Sequence, residues 1–405
     1  MGKNVLIITD SYPPEIRSAA QLMEDLAQFL QQKGHRVWVA TSYPRYNLDK
    51  ETINKIWPEI SEEQGIKILR IKTLPHHKVN FIVRGIAQLF MPYIFLYKIK
   101  NHIKDKIDTV IVHSPPLPLS ITAYQVKKIY GAKYILNLHD FFPQNAIDLG
   151  ILKNKLLIKF FERMAKNAYQ RADLIVVPSH EHKKYLLERK EVNDSKIEVV
   201  YHWLNAKIFI QAKKTGKFRK LYGLENKFIF VFGGVLGPSQ GLEYLIKIAE
   251  KVRDFKDIVF LFVGDGTEKS KLEKMVNDYN LENVIFKPFV SYEEYPELLK
   301  DCDVGVISLT TKNTTPAVPA KISTYLAAGL PIIAFLNKKS EALLIINQSQ
   351  CGYGIISEDE EKGKELVLKM YHEKDKLKEL GDNGFKYFVN NLSSDVCLNK
   401  FEQLI

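Results

Sequence analysis

A chain of 405 residues is longer than one ordinary hydrophobic core sustains and has the length of two domains. Apolar content of 46% with 26% charged residues excludes a disordered chain and one embedded in a bilayer. Cys302, Cys351 and Cys397 lie far apart with no CxxC spacing, which excludes a disulfide framework or zinc knuckle, and the net charge of +11 asks for an anionic partner.

The opening MGKNVLIITD enters an apolar strand at once, without the charged, apolar and cleavage regions of a secretory leader, so a reducing cytoplasm is expected. Short apolar runs at 5–9, 37–40, 66–71, 110–112, 134–138, 174–177 and 197–200 predict buried strands. Leu22, Leu26, Phe29 and Leu30 form one helix face between the first two, closed by Gly34. Repetition of that βαβ unit predicts a parallel, doubly wound sheet.

One segment stands apart, 78-KVNFIVRGIAQLFMPYIFLYKIK-100. Its longest uncharged run, 85–97, is 13 residues, short of the roughly 20 needed to span a bilayer. Ile82, Ile86, Leu89, Tyr93 and Leu96 fall at helical spacing, with Lys78, Arg84, Lys98 and Lys100 around them. Such a helix either lies on an anionic membrane or packs into the core, and Pro92 kinks both versions. Nucleic acid is not expected as a partner, because the basic residues form no recognition motif.

The rhythm stops near 205 and restarts at 228-FIFVFGG-234, with strands predicted at 258–263, 284–286, 304–308 and 331–335. Two α/β domains follow, 1–205 and 220–385, joined by a basic stretch with Lys213, Lys214, Lys217, Arg219 and Lys220 that reads as a solvated linker. A last helix at 391–405 has Ser394 as a candidate cap and Cys397, Phe401 and Leu404 on one face.

Ligands of open parallel sheets bind beyond the carboxyl ends of the strands. In the first domain these positions hold 9-TDSYPPEIRSAA-20, His113 and 139-HDFFPQN-145; in the second, 233-GGVLGPSQG-241, 264-GDGTEK-269 and the 308–321 loop. The glycine turn at 233–241 can cradle a phosphate with backbone N–H groups or be a plain tight turn. Lys321 is the only formal charge in 313-NTTPAVPAKISTYLAAGLPIIAF-335 and sits where a loop becomes a helix, a place that suits an anion better than a cation. Its presence there points to a bound anion. His139 and Asp140 are the most polar feature of the first domain's strand ends. Asp301-Cys302-Asp303 is a DxD triplet, but it precedes a strand and reads as a turn on the far side of the sheet. No metal spacing is present, so no metal is expected.

Taken in order, 12-YPPEIRSAA-20, 34-GHRVWVAT-41, 233-GGVLGPSQGLEYLI-246, 261-LFVGDGTEKSKLE-273 and 319-PAKISTYLAAGLPIIA-334 resemble the family 4 glycosyltransferases across essentially the whole chain. Within the family, 319-PAK-321 and 140-DFFP-143 are similar to the PxK and D-L-W-P motifs of capsule and lipopolysaccharide enzymes that handle N-acetylated aminosugars. The resemblance implies the GT-B fold, two Rossmann-like doubly wound parallel-sheet domains facing across a cleft, with the last helix crossing back to the first. It further implies retaining transfer of a sugar from a nucleotide sugar, UDP-linked, to a lipid-linked or glycan acceptor, without an obligatory metal or cofactor. The 78–100 segment and the positive charge add the expectation that the protein works peripherally on the cytoplasmic face of the cell membrane, bound to its anionic surface.

By carry-over, Ser18 approaches the diphosphate from the first domain, and Gly234, Gly237 and Gln240 line it from the second. Lys321 would stabilise the leaving phosphate, and His139 matches the family histidine near the transferring sugar. Val235 and Gln240 stand where many members have arginine and lysine. Pro316 and Thr324 stand where many have two glutamates, the second gripping the ribose. Losing such a charge-assisted hydrogen bond costs roughly 1.5–3 kcal/mol if nothing replaces it. These departures leave open an alternative, a non-catalytic relative acting as a binding or scaffolding subunit. A nucleotide-sugar epimerase of the same fold is a third reading.

Overall fold

A computed structural model describes residues 2–48, 52–76, 79–189, 192–356 and 358–405, with Phe81 described by its backbone alone. The chain divides into two compact units, Met1–His202 with Cys397–Ile405, and Trp203–Val396.

The first unit is built on eight strands: β1 (Asn4–Ile8), β2 (Arg36–Ser42), β3 (Ile60–Glu63), β4 (Ile66–Ile71), β5 (Thr109–Ser114), β6 (Lys133–Leu138), β7 (Leu174–Val177) and β8 (Ile197–Val199). They lie in the order β3-β4-β2-β1-β5-β6-β7-β8. Every pair is parallel except β3 with β4. The helices that accompany them, before the last helix of the chain, are α1 (Ser18–Gln32), α2 (Phe81–His102), α3 (Leu119–Tyr130), α4 (Gln144–Asp148), α5 (Lys155–Arg171) and α6 (His180–Glu188). The central strands are buried along their length, as a sheet covered on both faces requires.

The second unit opens with α7 (Lys207–Gln211) and α8 (Lys217–Tyr222). Its parallel sheet contains β9 (Phe228–Gly233), β10 (Ile258–Val263), β11 (Val284–Lys287), β12 (Val304–Ser308), β13 (Ile332–Phe335) and β14 (Gly352–Ile355). The order is β11-β10-β9-β12-β13-β14. Its remaining helices are α9 (Glu243–Lys251), α10 (Lys269–Asp278), α11 (Tyr295–Asp301), α12 (Lys321–Ala327), α13 (Ala342–Ser349), α14 (Glu360–His372) and α15 (Leu377–Asn391). The last helix, α16 (Ser394–Glu402), leads back into the first unit, where the backbone carbonyls of Ile405 and Leu404 accept from the ammonium groups of Lys3 and Lys133.

Three details differ from the sequence reading. The apolar positions of α2 divide between two faces. Ala87, Met91, Phe95 and Ile99 pack into the core, while Ile82, Val83, Ile86, Phe90, Tyr93 and Tyr97 stand exposed and Leu89 and Leu96 lie half-buried. By length and composition α2 could cross a membrane, yet one face is committed to the core. The Pro92 carbonyl accepts from Thr122 Oγ1 of α3 at 3.1 Å; Lys78 lies outside the described residues.

The basic stretch near 213–220 is not simply a solvated linker. Arg219 pairs with Asp303 at 2.7 Å and donates to the Asp301 carbonyl, and Lys217 reaches Glu294. Asp301 accepts from the backbone N–H groups of Thr215, Gly216 and Phe218. The DxD triplet is therefore a brace that seats α8. The third difference is two strands the sequence did not announce, β3 and β14.

Tyr325 of α12 fixes the end of β9. Its hydroxyl donates toward the Val231 and Val306 carbonyls and accepts from the Gly233 N–H at 3.2 Å. The ring needs the space of a missing side chain, because a Cβ on Gly305 would lie 2.6 Å from Tyr325 Cδ2. Gly305→Ala is expected to push the ring off this peg and destabilise the protein by about 1–3 kcal/mol, the usual cost of overpacking. Denaturant unfolding measures it; an unchanged midpoint refutes the account.

Candidate active site

The peg delivers the chain to a compact turn. Beyond β9, Gly234 adopts φ +132°, a conformation that side chains disfavour. The Gly234 N–H donates to the Val263 carbonyl, and the Leu236 N–H to that of Asp265. A Cβ on Gly264 would fall 1.9 Å from the Gly234 carbonyl oxygen, so the 264–266 turn braces the 233–237 turn backbone to backbone. Gly237 has no atom nearer than 3.8 Å to its missing Cβ and lies open. A 3₁₀ turn, Pro238–Gln240, is tied to the end of β12 by Ser308 Oγ donating to the Gln240 carbonyl at 2.7 Å.

Lys321 opens α12 and folds over this turn. Its Nζ donates to Gln240 Oε1 at 3.0 Å and sits 4.3 Å from the centre of the Phe232 ring. A Cβ on Gly234 would meet the lysine Nζ at 3.3 Å. Among the described residues no carboxylate pairs with it. Burial pulls its pKa down to about 8, because a cation loses water here and gains only an amide and an aromatic face. Gly234, Gln240 and Lys321 are thus brought together, with Gly237 on the same turn. Thr324, one turn along α12, is half-buried, and its hydroxyl reaches the Ala320 carbonyl at 3.4 Å. Pro316 is buried in the preceding loop.

In the first unit Ser18 is the exposed first residue of α1. Arg17 before it lies 3.7 Å from Asp10 and 3.8 Å from Glu15, both buried. His139 follows β6 and belongs to a cluster. Its Nε2–H donates to Asn137 Oδ1 at 3.0 Å, which leaves Nδ1 to accept from His202 Nε2–H at 2.6 Å. The His113 ring lies 4.5 Å away, and His182 Nε2 donates to the His139 carbonyl at 3.3 Å.

Burial holds all four imidazoles neutral, with pKa values down to about 3 for His113 and His182, about 4 for His202, and well below the ordinary range for His139. Each disfavours a proton on its neighbours, and Arg17 adds to the effect at His113. His182 and His202 were not singled out from the sequence. Spacing along the chain gave no signal for them: His113 lies in β5 and His139, His182 and His202 come after β6, β7 and β8, and only the strand order brings the four together. Phe232 under Lys321 carried no signal beyond a buried strand. Among the described residues no cluster of His, Cys, Asp or Glu is arranged to hold a metal.

Comparison with known proteins follows the same division of the chain. Residues 19–207 match the model of "Glycosyltransferase Family 4" and residues 214–387 that of "Glycosyl transferases group 1". Among curated proteins, the probable glycosyltransferase WbjE of Pseudomonas aeruginosa is 26% identical over 328 residues, covering 80% of each chain. The putative colanic acid biosynthesis glycosyl transferase WcaI of Escherichia coli K12 is 23% identical, covering 80% of this chain and 81% of that protein. Among solved structures, Anabaena Alr3699/HepE in complex with UDP-glucose superposes with a TM-score of 0.74 at 15% identity, covering 99% of both chains.

The histidine cluster makes stability depend on pH with a definite sign. The unfolded chain protonates these rings near 6.5, whereas the folded cluster resists protons until far lower. Below pH 6.5 the unfolded state therefore binds more protons, and stability falls as the pH drops toward 4. His113→Leu removes one buried neutral imidazole. It is expected to flatten that slope by up to about 1.4 kcal/mol per pH unit. Denaturant midpoints between pH 7.5 and 4.5 (assay conditions within the roughly 5–8 window of ordinary histidine titration and just below it) test this, and parallel slopes refute it.

Proposed function

The chain belongs to the family 4 glycosyltransferases, with the two parallel-sheet domains of the GT-B class, and from that premise we propose that it is a retaining enzyme using a UDP-linked sugar. The observation that carries the donor site is Lys321, a half-buried ammonium beside a glycine turn with no carboxylate to neutralise it among the described residues. In this reading the diphosphate lies on the 233–241 turn. Gly234, whose missing side chain lets the ligand approach the backbone, Gly237 and the Gln240 side chain line it, Lys321 binds it, and Thr324 meets the ribose. As the bond to the anomeric carbon breaks, negative charge grows on the departing phosphate oxygen. A cation fixed there stabilises the transition state more than the bound donor.

Ser18 and His139 would serve from the first domain, Ser18 toward the diphosphate and His139 beside the transferring sugar. We assign an N-acetylaminosugar donor and a lipid-linked or glycan acceptor of cell-surface polysaccharide, on the sequence likeness to capsule enzymes and to a colanic acid relative. The enzyme would work at the cytoplasmic face of the membrane, held by the exposed side of α2. The charge distribution supports that placement: Met1–His202 with Cys397–Ile405 carries 31 Lys and Arg against 21 Asp and Glu, and Trp203–Val396 carries 27 against 26. A second reading, a non-catalytic binding subunit, is favoured by Pro316 and Thr324 in place of two glutamates.

Thermal unfolding with UDP, GDP and no ligand separates them. A ligand at 100 times its dissociation constant stabilises the folded state by about 2.7 kcal/mol. UDP is expected to stabilise the wild type and not Lys321→Ala; no shift with either nucleotide favours the binding subunit. In turnover, Lys321→Ala is expected to lose about 100- to 1000-fold in kcat, the range found when one donor to a developing oxyanion is removed. The donor kcat/KM should decline as pH rises through about 8, where the free lysine loses its proton, and Lys321→Arg should move that decline to higher pH. A pH profile flat through 9 (about one unit past the lysine's value) in the wild type refutes the assigned charge.

A further inference from the structure

The strongest unassigned surface is the start of α5. Asn154 caps this helix, its side chain accepting from the N–H groups of Leu156 and Leu157. Phe161, Ala165, Ala168 and Tyr169 form its buried row. The capped end instead shows apolar groups to water: Leu156 is 80% exposed, and Ile151, Leu157 and Phe160 are each nearly half exposed. Around them stand Lys153, Lys155, Lys159, Arg163 and Lys166, all exposed, with Glu162 the one acid in 149–172.

None of these five cations has a carboxylate partner among the described residues. Elsewhere in the same unit Lys98, Lys106, Lys127 and Lys183 do have one. Leucine and phenylalanine left in water carry a hydrophobic cost, and here they are ringed by cations without a carboxylate partner among the described residues. They match an interface where acyl chains receive the apolar groups and anionic headgroups the charges.

Topology gives this patch a neighbour. A helix joining two parallel strands begins beyond the carboxyl end of the first, so α2 and α5 both start at the same edge of the sheet. Both share a core with α3, which touches each of them, so they lie on the same side. The exposed first turns of α2, with Ile82, Val83, Ile86 and Phe90, therefore share an edge with Leu156, Leu157 and Phe160.

We propose that the first turns of α5 are a second foothold on an anionic lipid surface, set beside that of α2. This rests on the membrane placement argued above. Two footholds fix an orientation that one helix leaves free: the unit sits with the carboxyl edge of its sheet toward the lipid, where an acceptor anchored in the bilayer would arrive. A nucleic acid would use the cations and could stack a base on Phe160, but it gains nothing from the exposed aliphatic groups of Ile151, Leu156 and Leu157, which is why lipid is the favoured partner.

Flotation with phosphatidylcholine vesicles, with and without phosphatidylglycerol, tests it. The wild type is expected to bind the anionic vesicles at low salt. Lys155→Gln/Lys159→Gln/Arg163→Gln should reduce that binding by about tenfold or more, as expected for three surface cations. Leu156→Ser/Phe160→Ser should reduce it comparably, and both variants should keep the wild-type thermal shift with UDP. Should the wild type bind and both α5 variants match it, the second foothold is refuted while the α2 reading stands. Phe90→Ser/Tyr93→Ser reports on the latter separately. Should charge alone matter, with Leu156→Ser/Phe160→Ser at wild-type affinity, the lipid assignment is refuted. A wild type that ignores anionic vesicles overturns both readings.

Discussion

An ammonium with no counter-charge among the described residues governs the second unit. Lys321 would be cheaper to hold beside a carboxylate, but such a pair would cancel the field that the proposed phosphate ligand would need. Gln240 offers a neutral carbonyl, and Phe232 the negative face of a ring. Both restrain the lysine without neutralising it. The position of the charge then depends on the turn beneath it, and the turn depends on Tyr325 and on the close backbone packing of Gly234 against Gly264. The glycines here answer separate close approaches: Gly234 to the Lys321 side chain, Gly264 to the Gly234 backbone and Gly305 to the Tyr325 ring. The same logic explains the lowered pKa: a charge kept available for a ligand is a charge poorly served before it arrives.

That logic was partly legible in the sequence. Lys321 stood out because a charge occupied a place that favours anions, and the glycine turn could be placed because β9 precedes it with an unbroken apolar run. Strands buried on both faces read clearly for the same reason. β3 did not, because Ile60–Glu63 is half acidic and draws its fixity from Arg70, whose guanidinium reaches Ser61 and Glu63. β14 was hidden by its two glycines. The histidine cluster was out of reach for a different reason: His113, His139, His182 and His202 converge only once the strand order is known, and spacing along the chain says nothing of that order. In α2 the helix was legible but its faces were not, since both are apolar and only packing distinguishes them.

The two units treat charge in opposite ways. In the second, acids and bases nearly balance, and the basic stretch at its start is absorbed into pairs with Glu294, Asp303 and the Asp301 carbonyl. In the first, bases exceed acids along the whole unit, and on α5 Lys153, Lys155, Lys159, Arg163 and Lys166 have no carboxylate partner among the described residues. A lysine-rich helix could be explained as a device for solubility, but solubility alone would not put Leu156 and Phe160 at the tip of the same helix.

Ionic strength should act differently on these two kinds of cation. The α5 cations are exposed, and an interaction across solvent fades beyond a Debye length of about 8 Å at physiological salt. In the proposed phosphate site Lys321 would meet its ligand at contact distance, from a half-buried position on the glycine turn. Salt should therefore release the protein from an anionic surface well before it empties the phosphate site. That separation follows from where the sequence spends its charges: many, exposed and unpaired for a diffuse surface, one and enclosed for a defined ligand.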